Sequence, residues 1–174
     1  MSHGHKPSDD AMPLAMLGLD SFESGLLAVL RHFLIAFSQP ESQAWQTAFT
    51  IAAERWGEAK GPQIAAAGLG LLQGVRRARA AEFLFANPMC LGCRQMVTGD
   101  ETALMQMVQA MRRDRADLAR PAVLRLTGGT MDPALIRAAL AFAARHPAPS
   151  DAAPFAPLPE VAPWPQHGHL RLVH

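Results

Sequence analysis

The chain has 174 residues, 49% hydrophobic and 18% charged, with 16 Lys+Arg against 15 Asp+Glu. That composition fits one globular domain able to bury a core. It lacks the strongly basic balance of a typical nucleic-acid binder, and its arginines are interleaved with acids, so bulk charge names no partner.

The N-terminus carries Asp9 and Asp10 and no basic-then-apolar segment, so no secretory signal is read there. A helix is expected from Asp20-Ser21-Phe22-Glu23, which has capping-box spacing. Phe22, Leu26, Leu30, Phe33 and Phe37 form its apolar stripe, with Glu23 and Arg31 off it, and Ser38-Gln39-Pro40 ends it. Ser38 and Glu41 repeat the cap spacing, and Trp45, Phe49, Ala52 and Trp56 mark the inward face of a second helix that Gly57 stops.

Pro62 suits the first turn of a third helix, expected to run through Leu72 and Val75 to Phe83 before Asn87-Pro88 blocks it. Its residues Ala66, Gly70, Gly74 and Ala78 recur every four positions and form a groove for close approach. A neighbouring helix of the same chain is the expected filler, with a homodimer seam the alternative. The longest uninterrupted apolar or glycine run, 64–72, is far below the roughly 18 residues of a bilayer span, so no membrane is expected.

Thr98-Gly99-Asp100-Glu101 caps a fourth helix, with acids at its start, Arg112 and Arg113 at its end, and Leu104, Val108 and Met111 inward. A fifth runs from Asp114 to Leu126, bent or interrupted at Arg120-Pro121 and ended by Gly128-Gly129. Asp132-Pro133 opens a sixth, with Leu135, Ile136, Ala139, Leu140 and Ala143 inward, closing near His146-Pro147. No segment shows period-two alternation, so a sheet is not expected. In the final stretch Phe155, Leu158, Val161 and Trp164 recur every three residues, which would align them on one edge of a polyproline II arm. That edge could dock on this chain or on a protein partner; a disordered tail is the competing reading.

The fold class is therefore all-α: a bundle of about five to six helices over 20–146, with a flexible tail at 1–19 and an extended proline-rich arm at 147–174. In a cytoplasmic protein, the localisation expected here, a close cysteine pair points to metal binding or catalysis rather than to a structural disulfide. Cys90 and Cys93 are the only cysteines, in Asn87-Pro88-Met89-Cys90-Leu91-Gly92-Cys93-Arg94. Two thiolates at this spacing can chelate one zinc ion, with Arg94 favouring the thiolate. His3, His5, His167 and His169, or the cysteines of a second protomer, are the candidates for the remaining ligands.

The same pair could act in thiol–disulfide exchange or redox sensing, or pack inertly. His32 and His146 are isolated histidines, for which core packing is the simpler reading. Met105, Met107 and Met111 read as packing residues. The clusters Arg76, Arg77, Arg79 and Arg112, Arg113, Arg115, Arg120 read as solvated, salt-bridged faces. With no phosphate loop, nucleophile elbow or paired-carboxylate motif, the expected function is a non-enzymatic regulator or scaffold with a zinc knuckle. The alternatives are a thiol redox protein or sensor and, third, a helical nucleic-acid-binding regulator.

Overall fold

The structure is a computed structural model that describes residues 11–150 and the strand 171–173. Among these residues the chain forms β1 (Met12–Pro13), a 3-10 turn (Leu14–Leu17), α1 (Ser21–Ser38), a second 3-10 turn (Pro40–Ser42) and α2 (Ala44–Trp56). It continues through α3 (Gly61–Ala78), β2 (Leu84–Ala86), a 3-10 turn (Cys93–Gln95) and β3 (Met96–Val97), then α4 (Gly99–Arg112), α5 (Ala116–Thr127), α6 (Pro133–Arg145) and β4 (Arg171–Val173). The architecture is an all-α bundle. α1 packs on α2 and α3, α4 packs on α5 and α6, and α3 meets α6. Residues 12–17, expected in a flexible tail, instead form β1 and its turn, and Leu17 enters the core.

The caps fall where the residue types require them. Asp20 accepts from Glu23 N at 2.7 Å and Glu23 reaches back to Asp20 N at 2.9 Å. Thr98 and Glu101 make the same reciprocal pair on α4, and Asp132 accepts from Leu135 N at 2.7 Å on α6. Gly57 and Gly128 end α2 and α5 at φ +82° and +70°, backbone that side-chain-bearing residues rarely adopt.

The Ser38/Glu41 box does not form. Ser38 stays in α1 with its hydroxyl donating to Ile35 O, and α2 starts after Gln43, which turns the chain at φ +51°. That turn resets the helix face. Ala44, Ala48 and Ala52 point inward while Trp45 is 48% exposed. This face packs against α1 and α3, and at its C-terminal end the backbone of Gly61, the first residue of α3, lies against that of Ala52 and Ala53. The α3 groove shifts in the same way: Gly74 is covered by Leu135 of α6, Gly70 has nothing within 4 Å, and Gly68 meets Leu26 and Leu30. On α6 Phe142 points inward and Leu140 is 51% exposed.

α3 ends at Ala78, before the expected Phe83, because Arg79 turns to extended backbone at φ −130° and ψ 142°. Its guanidinium bonds the carbonyls of Ala81 and Glu82 and the carboxylate of Asp100, drawing the chain back toward α4. The segment from 79 to 98 is therefore a long connector. Two short ladders, which the sequence did not suggest, tie it down: β1 pairs antiparallel with β3, and β4 pairs parallel with β2.

α1 is long and apolar enough, by length and composition alone, to cross a bilayer, a test that the continuous-run criterion did not register. A core helix passes the same test, and most of α1 is buried inside the bundle, its Glu23 and Arg31 included.

Candidate functional site

The connector carries both cysteines on one bend. Asn87 starts it: its side-chain oxygen accepts from Met89 N at 2.9 Å and its carbonyl from Cys90 N at 3.3 Å, with Pro88 supplying the fixed φ of a turn. The chain then folds over the first sulfur. Cys93 N donates to Cys90 Sγ at 3.2 Å, and Arg94 N donates to Cys90 O at 3.0 Å. Both thiols are free and partly exposed, and Met89 and Leu91 beside Cys90 are 74% and 69% exposed.

The two sulfurs differ in proton affinity. The Cys93 thiol, then the backbone N–H groups of Cys93 and Gly92, hydrogen-bond the Cys90 sulfur and hold its pKa below that of an ordinary thiol. Burial, followed by the bond to Cys90 and its charge, pushes Cys93 up to about 11. The first thiolate therefore forms on Cys90. The asymmetry comes from the burial of Cys93 and from these local donors to Cys90. The 3-10 turn at Cys93–Gln95 has three residues and α4 begins only at Gly99, so no α-helix N-terminus meets the thiols.

Beneath the bend lies Arg31 of α1, 3% exposed. Its Nε and Nη2 donate to the Glu101 carboxylate at 2.7 and 3.0 Å, its Nη1 to Arg94 O at 2.9 Å and its Nη2 to Met96 O at 2.5 Å. Its charge is the cation that favours the Cys93 thiolate, the part the sequence assigned to Arg94. By helical spacing Arg31 lies off the apolar stripe. The missed signal was its setting: Leu30 and Phe33-Leu34-Ile35 surround it in a helix apolar on most sides, where a charge implies a buried partner.

Among the described residues no group of three or more His, Cys, Asp or Glu side chains could hold a metal, so there the expected zinc ligands are a pair. The other named candidates, His3, His5, His167 and His169, lie outside the described residues, as does the Phe155/Leu158/Val161/Trp164 edge. His32 is a core histidine whose Nδ1 meets Ala28 O at 2.8 Å. His146 stacks on Phe22, and burial followed by Arg112 and Arg145 lowers its pKa.

Of the clustered arginines, four pair with acids among the described residues, and Arg79 and Arg112 do so buried rather than on the solvated faces expected, because their acids lie in or beside the core. Arg112 and Arg113 both reach Glu23, Arg79 pairs with Asp100, and Arg115 with Asp117, while Arg76 lies over the Phe37 ring. Met105 and Met107 are core residues and Met111 packs against the core. No protein-family model, curated protein or solved structure matches the chain.

Proposed function

We propose that the protein is a thiol–disulfide exchange element or redox sensor in which Cys90 attacks and Cys93 resolves. The observation that carries this reading is the Cys93 N–H donating to the Cys90 sulfur at 3.2 Å, which folds the second cysteine of the bend back onto the first. The chemistry balances with an external disulfide as oxidant. The Cys90 thiolate attacks it, forming a mixed disulfide and releasing one thiolate. The Cys93 sulfur then attacks Cys90, the mixed bond breaks, and the second leaving thiolate takes the Cys93 proton. Two protein thiols and one disulfide become one protein disulfide and two small thiols.

The test is oxidation of the full chain with a small dialkyl disulfide, followed by mass analysis. The expected product has lost two hydrogens and carries no adduct, Cys93→Ser accumulates the mixed disulfide on Cys90, and reductant restores both thiols. A stable adduct on the unsubstituted protein, or no reaction, overturns the reading.

A second reading keeps Cys90 and Cys93 as ligands of a structural zinc ion in a regulatory or scaffold protein. The backbone N–H groups of Gly92 and Cys93 aimed at the Cys90 sulfur favour it, because a metal-bound thiolate is stabilised by such donors. The remaining ligands would come from the tail histidines or from the same two thiolates of a second copy. Stoichiometric zinc in tag-free reduced protein, lost in Cys90→Ser and Cys93→Ser, supports this reading; its absence overturns it.

A further inference from the structure

We propose that Arg31 is the positioning residue of the dithiol bend, holding the backbone just after Cys93 so that its sulfur stays aligned to resolve a mixed disulfide on Cys90. The inference rests on the exchange reading above.

The two sulfurs stand on separately anchored arms. Asn87 holds the arm before Cys90 through Met89 N and Cys90 N. Arg31 holds the arm after Cys93 through the carbonyls of Arg94 and Met96. Glu101 fixes the guanidinium itself, and it is also the third-position partner in the α4 capping box, with its Oε2 accepting from Thr98 N at 3.0 Å. A planar donor fork engaged on two carbonyls and one carboxylate has little freedom to turn, so the position of Cys93 is set from the bundle core. Attack on an external disulfide requires only that Cys90 be reachable, whereas resolution requires Cys93 in line with the new bond. Arg31 therefore acts on the second step.

An aromatic disulfide that releases a visibly absorbing thiolate reports both steps on the full chain. Each molecule releases one equivalent when Cys90 is modified and another when Cys93 closes the ring. Arg31→Met combined with Glu101→Met removes the clamp without leaving a buried carboxylate unpaired. The expected result is a first phase within about twofold of the unsubstituted protein and a second phase slowed about tenfold or more, as misplacement of a reacting group implies. Arg31→Lys keeps the charge but not the fork, and should also slow the second phase selectively; it carries the test if the paired variant fails to fold.

An unchanged second phase in a folded variant, or equal slowing of both phases, overturns the positioning role. Release of only one equivalent by the unsubstituted protein removes the exchange reading and this inference with it, whereas two equivalents released at rates unmoved by the substitutions remove this inference alone.

Discussion

Two glycines of α3 should respond to alanine with opposite signs. A Cβ on Gly61 would lie 2.3 Å from Ala52 O, 2.4 Å from Ala52 C and 2.6 Å from Ala53 N, all backbone atoms of α2. Ordinary contact at such atoms needs α3 to move outward by about 1 Å. The α2–α3 connection leaves little slack for that, since Gly61 N already bonds Gly57 O at 2.8 Å. Overpacking of this kind costs about 1–3 kcal/mol, and the upper end applies because neither side can swing away as a side chain can. Gly70 has no neighbour within 4 Å, so Gly70→Ala should recover up to about 1 kcal/mol of helix propensity. The two variants should therefore differ by about 2–4 kcal/mol, or roughly 5–15 °C in Tm for a chain of this size. Urea denaturation followed by far-ultraviolet circular dichroism measures it. Equal effects of the two substitutions would refute the close α2–α3 crossing.

Cys93→Ala removes the thiol that donates to Cys90, so the pH at which Cys90 becomes alkylated should rise toward that of an ordinary thiol; an unmoved profile would show that the sulfurs are not in contact. His146 has a lowered pKa when folded, so the unfolded chain takes up its proton first. Stability should hold above about pH 6.5 and fall as pH drops below it, and His146→Phe, measured by urea midpoints, should remove that part of the slope. Glu23→Leu removes the buried carboxylate that Arg112 and Arg113 share, leaving them Asp20, and takes the back-bond from the Asp20 N–H, and should cost about 3 kcal/mol by the same denaturation assay. A loss under about 1 kcal/mol would place that network in solvent.

The helices were legible wherever a local rule decided them. Asp20/Glu23, Thr98/Glu101, Asp132, Gly57 and Gly128 cap or stop their helices through contacts within a few residues. The faces were less legible, because burial is settled by what lies opposite. Trp45 reads as core by hydrophobicity alone, yet the side of α2 that faces its neighbours carries Ala44, Ala48 and Ala52. The strands were illegible for a simpler reason: segments of two or three residues are too short for alternation to register. The cysteine spacing was plain from the start, but the residue beneath the bend comes from more than sixty positions away and was hidden by the rule that charges face water.

The buried charges have a common geometry that stability alone does not explain. α4 is buried at every position from 99 to 110, and its first turn carries two acids, Asp100 and Glu101. Each receives an arginine from a different helix: Arg79 at the end of α3 and Arg31 within α1. Asp100 also accepts from Leu84 N at 2.7 Å, and the Thr98 hydroxyl donates to Leu84 O at 2.7 Å. One helical turn thus holds both ends of the 79–98 connector. Buried ion pairs are often no more stabilising than apolar replacements of the same volume, but they accept only one pairing. What they contribute here is register. The connector is buried on either side of the bend, through Phe83, Phe85 and Ala86 before it and Val97 after it, and is fixed at its ends by directional bonds; the bend between them remains partly exposed, as the proposed thiol exchange would require.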